Sequence, residues 1–239
     1  KIYFRKIYLN GKMQVPNDKP VLLACNHPMA FTEACLLACF LERPLHFLVR
    51  GDVFNSRWTW FLHQTNQIPI YRFRDGFTNM RRNAESFSWA YKALAEGKAI
   101  VIFSEGNTCL QKRLAPLQKG TAKLAFGTME AHEAVNLQVV PVGVNYSEGT
   151  RFRSDVMIEV GKPIAVQDYW QRYQENANQG IRQLTADIYR QMLPLIIHIE
   201  RDDDLPKADV IFNLLDQLMP PDPWPIVDQN NNRFQREKA

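Results

Sequence analysis

The chain predicts an α/β fold, with a mixed, largely parallel central sheet flanked by helices on both faces. Three observations carry this expectation. Short aliphatic runs such as Val21-Leu22-Leu23-Ala24-Cys25 and Ala99-Ile100-Val101-Ile102-Phe103 read as strands buried on both sides. Between such runs lie longer segments whose apolar residues recur at spacings of three and four, as on a helix with one buried face. The two kinds alternate along the chain, and strands that alternate with helices pair in parallel, with the helices crossing over the sheet.

Residues 21–25 end at Asn26-His27-Pro28, which delivers polar side chains to an edge of the sheet. Residues 32–41 read as a helix and 45–50 as a second strand, followed by Gly51-Asp52 and an aromatic-rich stretch over 53–62. Residues 68–71 make a third strand, short because Pro69 cannot donate to a ladder. Phe77, Met80, Ala84, Phe87, Tyr91 and Leu94 share one helical face that ends near Gly97. A strand follows over 99–103, a helix over 121–134, and strands over 137–146 and 156–160. Ile181, Leu184, Ile188, Met192, Leu195 and Ile199 mark a long amphipathic helix with a kink at Pro194. The run Pro220-Pro221-Asp222-Pro223-Trp224-Pro225 cannot continue a helix and opens a polar tail. The expected organisation is therefore one domain over 1–219 and a tail over 220–239.

A chain of 239 residues, 46% hydrophobic and 23% charged, is long enough for one well-buried core and has no bias toward disorder. The balance of 29 basic against 25 acidic residues is too mild to argue for nucleic acid, and it suits an anionic substrate or membrane surface. Cys25, Cys35, Cys39 and Cys109 lack zinc-type spacing, so no metal site is expected and a reduced, intracellular environment is. Cys35 and Cys39, one helical turn apart, read as small core residues. No apolar run approaches the ~18 residues that span a bilayer, and no signal peptide is visible. Residue 1 is a lysine, which implies a chain trimmed from a longer one in which an anchor could precede it.

A histidine at the carboxyl end of a buried strand stands where open α/β sheets place reactive groups. His27 could take a proton from a hydroxyl if a carboxylate held its other ring nitrogen, and Glu33, at the start of the next helix, is the nearest candidate. The same two residues also fit a capped turn followed by a glutamate that favours a helix N-terminus. Downstream, Phe103-Ser104-Glu105-Gly106-Asn107-Thr108 follows its strand directly, so Gly106 either brings backbone N–H groups toward an anion or makes an ordinary turn. Ser104 lacks the Gly-x-Ser-x-Gly setting of a nucleophile. Lys112, Arg113 and Lys119 bring positive charge near that strand end, and Arg72 and Arg74 do so after the third strand. His46, His63, His132 and His198 read as structural.

In this order, His27 with Glu33, Arg72 after Ile68-Pro69-Ile70-Tyr71, the block Phe103 to Thr108 and Val140-Pro141-Val142 resemble the glycerolipid acyltransferase family. The resemblance covers roughly residues 20 to 165. It implies a single-step transfer of an acyl group from acyl-CoA or acyl-carrier protein to a lysophospholipid hydroxyl, with no metal or redox cofactor. His27 would be the base and Glu33 its orienting carboxylate. Asn26 and Arg72, with Glu105, Gly106 and Asn107, would bind the phosphorylated acceptor, and Pro141 would shape the pocket floor. The chain departs from the family pattern in three ways: Glu33 stands where an aspartate is usual, five residues rather than four separate it from His27, as in a subset of the family, and Thr108 stands where an arginine is usual. The last departure leaves Lys112 or Arg113 to contact the phosphate. Acceptors to be weighed beside the lysophospholipid are glycerol 3-phosphate and a lyso-amino-acid lipid. A lipid- or acyl-carrier-binding homologue with weakened catalysis is the alternative outside the enzyme class.

The lipid acceptor implies a peripheral position at the cytoplasmic side of a membrane. Residues 1–9, where Ile2, Tyr3, Phe4, Ile7 and Tyr8 alternate with Lys1, Arg5 and Lys6, are the expected membrane-contacting segment. The aromatic stretch Phe54, Trp58, Trp60, Phe61 and Leu62 fits either that surface or the core.

Overall fold

The computed structural model describes residues 3–53, 59–71, 78–108, 110–132, 135–218, 226–227 and 238. The strands are β1 (Lys6–Asn10), β2 (Val21–Cys25), β3 (Leu45–Arg50), β4 (Gln67–Ile70), β5 (Ala99–Phe103), β6 (Gln138–Tyr146), β7 (Asp155–Val160), β8 (Ile164–Ala165) and β9 (Ile226–Val227). The helices are α1 (Phe31–Phe40), α2 (Thr59–Gln64), α3 (Thr78–Ala95), α4 (Gly120–Ala131), α5 (Trp170–Glu175), α6 (Ala177–Met192) and α7 (Leu205–Leu218). The strands form one sheet in the order β4-β3-β5-β2-β6-β7-β1-β9, with β8 paired to β6 off this path. β4, β3, β5, β2 and β6 run parallel to one another, β7 runs antiparallel to β6, and β1 and β9 follow the direction of β7.

β2 sits at the centre and is buried throughout, which is why it reads as an unbroken apolar run. Its side chains alternate between two cores with the period of a strand. Leu22 and Ala24 pack with Leu94 of α3, Phe126 of α4 and Leu184 of α6, whereas Val21, Leu23 and Cys25 pack with Leu36 and Leu37 of α1. The connection from β2 through α1 to β3 steps over β5 in one direction, and that from β5 through α4 to β6 steps over β2 in the other. The two helices lie on opposite faces, as right-handed crossovers running in opposite directions require. Such a reversal opens a crevice at the carboxyl ends of β2 and β5, the edge that carries His27 and Glu105.

Several expectations are corrected here. The stretch expected to face a membrane instead contributes β1, which pairs with β7, and Phe4, Ile7, Tyr8 and Leu9 are core residues; Tyr3 is the exposed aromatic of that stretch. A basic, alternating segment fits an interface and a strand slot equally well, and the Arg5 guanidinium bonding both carboxylate oxygens of Asp155 ties it into the sheet. Cys35 and Cys39 lie on the exposed side of α1 rather than in the core. The helix expected to kink at Pro194 ends at Met192 and passes into a 3₁₀ turn, Leu193–Leu195, because proline cannot donate the next helical bond. Within the tail, Ile226–Val227 adds to the sheet beside β1 and Lys238 pairs with Glu159, so it is not wholly detached. The remaining tail residues, together with Arg72, Arg74, Phe54, Trp58 and Cys109, fall outside the described residues.

Candidate active site

β6 continues four residues past Val142, its last partner on β2. Asn26, the residue after β2, fills that gap with its side chain. Its amide donates to Val144 O at 2.9 Å and accepts from Val144 N at 2.8 Å, as a neighbouring strand would. His27 follows, held by its own backbone N–H, which donates to Glu105 Oε2 at 2.6 Å. Its ring stacks on Phe103 at the end of β5, with centroids 4.0 Å apart and planes 19° apart. The backbone and the ring of this residue are thus both held before Glu33 is considered.

Beyond Pro28 the chain turns sharply at Ala30, whose φ of 57° and ψ of −98° are rare for a residue with a Cβ. The turn starts α1 and aims the Met29 N–H back at Glu33, with Met29 N donating to Glu33 Oε1 at 2.5 Å. Glu33 occupies the first turn of α1, where the helix dipole favours an anion, and it is fully buried. Its Oε2 lies 3.5 Å from His27 Nδ1, at the outer limit of a hydrogen bond, and neither atom has another partner among the described residues. The His27 side chain remains 18% exposed while Glu33 is wholly buried behind it. The geometry is that of a histidine backed by a buried carboxylate, at a separation longer than an ordinary hydrogen bond.

Glu105 has a different role in the geometry. Its two oxygens accept from His27 N and from Ala115 N, at 2.6 and 2.8 Å, so the buried carboxylate braces the histidine loop against the 110–118 loop. Burial pushes its pKa up, against the lowering effect of those two N–H donors. Ser104 is also buried, its hydroxyl 2.9 Å from that of Thr121 at the start of α4, so it is held in the interior away from the exposed edge. Gly106 has φ 73° and its N–H donates to Phe103 O at 3.1 Å, so it makes the turn rather than offering that N–H outward. Asn107 is exposed at the same edge.

A cavity of about 210 Å³ opens beside this constellation, lined among others by Asn26, Pro28, Lys112, Tyr146, Gly149 and Asp209. Lys112 reaches it with its Nζ 2.6 Å from Asp209 and 4.8 Å from the centre of the Phe212 ring. Arg113 turns away, donating to the backbone carbonyls of Ile199 and Glu200 at 3.1 and 2.5 Å. Pro141 lies within β6 opposite Ala24, deeper than the residues that line the cavity, and its carbonyl accepts from Gly161 N at 2.9 Å. His46 is buried with its pKa lowered by desolvation, and His198 Nδ1 accepts from Leu114 N.

One residue of the constellation is absent from the sequence reading. Tyr146, the last residue of β6, donates its hydroxyl to Glu33 Oε1 at 3.1 Å. The signal was the strand period, since Val140, Val142, Val144 and Tyr146 all face the α1 side. Burial foremost, then the Glu33 charge, drives the Tyr146 pKa far up, so the phenol keeps its proton. The Cys25 thiol, fully buried near Glu33, is likewise kept protonated and inert.

Among the described residues no three His, Cys, Asp or Glu side chains stand where they could hold a metal ion, and no helix is long and apolar enough to cross a membrane.

Comparison with known proteins places these features in a family. The acyltransferase family model matches residues 6–145. The chain is 29% identical over 148 residues to glycerol-3-phosphate O-acyltransferase 1 of Saccharomyces cerevisiae, covering 60% of this chain and 20% of that protein. It is 26% identical over 153 residues to glycerol-3-phosphate O-acyltransferase 2 of the same yeast, covering 64% and 21%. The chain therefore spans about a fifth of the length of these curated relatives. The crystal structure of the 1-acyl-sn-glycerophosphate (LPA) acyltransferase from Thermotoga maritima superposes with a TM-score of 0.51 at 16% identity, over 76% of this chain and 73% of that one, which establishes the shared fold. The chain belongs to the acyltransferase family, within the glycerolipid group that its four ordered sequence blocks resemble.

Proposed function

We propose that this domain transfers a fatty acyl group from a thioester, acyl-CoA or acyl-carrier protein, to the hydroxyl of a lysophospholipid such as 1-acyl-glycerol 3-phosphate. The observation that carries the reading is the buried carboxylate of Glu33 set 3.5 Å behind His27 Nδ1, on a histidine whose side chain is still partly exposed. With Nδ1 carrying the proton toward Glu33, Nε2 is the basic nitrogen. It takes the acceptor hydroxyl proton as the oxygen attacks the thioester carbonyl carbon. The tetrahedral adduct then collapses, the C–S bond breaks, and the imidazolium returns its proton to the departing thiolate. Glu33 stabilises the transient imidazolium and is itself unchanged. No acyl-enzyme forms in this scheme, and no cofactor besides the acyl donor takes part.

The acceptor headgroup would enter the cavity that Lys112 reaches, with Arg113 holding the 110–118 loop to the backbone of Ile199 and Glu200. Lys112 would meet a phosphate after giving up part of its contact with Asp209. A cavity of about 210 Å³ has room for a polar headgroup but not for a long acyl chain, which agrees with an acceptor whose chain stays in a membrane while the enzyme sits peripherally on its cytoplasmic face. Glycerol 3-phosphate is the second reading for the acceptor, favoured by the two yeast relatives that carry that activity in their names.

The test supplies labelled acyl-CoA or acyl-carrier protein with lysophosphatidic acid, glycerol 3-phosphate or a lyso-amino-acid lipid. Product is expected with a phosphorylated acceptor, falling about 10²–10⁴-fold in His27→Ala. Turnover that survives His27→Ala unchanged would remove the assigned base.

A further inference from the structure

We propose that Tyr146 is a positioning residue of the His27–Glu33 dyad, holding one oxygen of the longer carboxylate so that the other faces the histidine. Glu33 Oε1 accepts two hydrogen bonds, from Met29 N at 2.5 Å and from the Tyr146 hydroxyl at 3.1 Å. Oε2 accepts none and lies 3.5 Å from His27 Nδ1. A glutamate side chain has one more rotatable bond than an aspartate, and a buried carboxylate with both oxygens free would swing between orientations. Two donors on the same oxygen remove that freedom and leave a single face for the imidazole.

The placement of the phenol is built by distant parts of the chain. β6 must run four residues beyond β2 for Tyr146 to reach the level of α1, and Asn26 secures that extension through Val144. The ring is packed against Phe4, with centroids 5.8 Å apart, and only 6% of the residue is exposed. The amino-terminal stretch thus backs the phenol that holds Glu33. Tyr146 also lies one residue past the span that the family model matches, residues 6–145.

Tyr146 acts through Glu33 and touches no reacting atom in this scheme, which rests on the reading of His27 as the base. The tautomer of His27 reports the effect without any turnover. A carboxylate oxygen fixed at Nδ1 keeps the proton on that nitrogen and leaves Nε2 bare. Nitrogen-15 NMR of the labelled protein is expected to show the Nδ1–H form dominant in the wild type and its share reduced in both Tyr146→Phe and Glu33→Gln. Phenylalanine preserves the packing on Phe4, so the melting temperature of Tyr146→Phe should stay close to that of the wild type. In turnover, Tyr146→Phe should lower kcat about 10-fold with KM for both substrates within about twofold. Added to Glu33→Gln it should cost nothing further, because the two act along one route.

An unchanged tautomer balance in Tyr146→Phe overturns the positioning role, and so does a full additional loss on top of Glu33→Gln. Absence of product with every donor and acceptor, alongside the expected tautomer shift, would instead reject the acyl-transfer reading and leave the positioning of Glu33 standing.

Discussion

The side chain of Asn26 and the backbone of Val144 exchange two hydrogen bonds, of 2.9 and 2.8 Å, at the point where β2 stops and β6 goes on. The amide stands in for a missing peptide unit, and the position of His27 relative to Tyr146 follows from it. Both groups are buried. Asn26→Ala leaves a donor and an acceptor of β6 unpaired, a loss of about 2–6 kcal/mol at 1–3 kcal/mol for each buried orphan. Urea unfolding should show it as a lowered midpoint with an unchanged slope. Asn26→Asp should also destabilise, since a carboxylate accepts from Val144 N but meets Val144 O with repulsion.

Glu33→Asp bears on whether the longer side chain is a handicap. Shortening by one methylene withdraws the carboxylate by about one C–C bond, ~1.5 Å, from a histidine that is already 3.5 Å away. It also draws Oε1 out of reach of the Tyr146 hydroxyl and the Met29 N–H. The expected outcome is a kcat about 10-fold lower with KM little changed, well short of the loss in His27→Ala. Faster turnover in Glu33→Asp would mean that the surrounding loop is organised for an aspartate.

Glu105 gives stability a defined dependence on pH. Its folded pKa is raised by burial above the ordinary carboxylate value, so the native state holds the proton more tightly than the unfolded chain does. The contribution to stability is therefore fully present below the ordinary carboxylate pKa and is lost as pH rises through the raised value. Glu105→Gln cannot titrate, and its melting temperature should vary less over that window than that of the wild type. The amide oxygen still accepts from one of the two N–H groups, whereas its NH₂ faces the other. His27 should become less well held, and kcat should fall with the same substitution.

Gly106 sits at φ 73°, and a Cβ built there lies 2.9 Å from Gln118 Cγ. The side chain of Gln118 is flexible enough to yield, but the backbone conformation is not. Gly106→Ala is expected to cost about 1–2 kcal/mol, the penalty of the left-handed region for a residue with a Cβ. Thermal unfolding checks it, and a stabilised variant would show that the loop can relax into another turn.

Local signals in the chain carried much of the architecture. The strands at 21–25, 45–50 and 99–103 were legible to the residue because each is an apolar run bounded by breakers, and the long helices were legible from their spacing. β1 was not. Lys6 to Asn10 has the alternation of a strand and the basic aromatic character of an interfacial segment, and only the vacant slot beside β7 distinguishes the two. α7 was not read either, and in the fold Val210, Ile211 and Leu214 are exposed while Phe212 is buried, so its apolar residues do not simply trace a buried face.

For the site, the sequence by itself determined which polar residues stand at the carboxyl ends of β2 and β5, because strand ends and turns are written in neighbouring residues. It thereby brought His27, Glu33 and Glu105 to one edge. Tertiary structure alone decided what each carboxylate does. Glu33 and Tyr146 are 113 positions apart, and Glu105 spends both oxygens on backbone N–H groups 78 and 10 positions away. Arg113 is claimed by carbonyls 86 and 87 residues downstream. A hydrogen bond is directional and ends within about 3 Å, so its partner depends on sheet register and strand length, which the whole fold sets and no local pattern records.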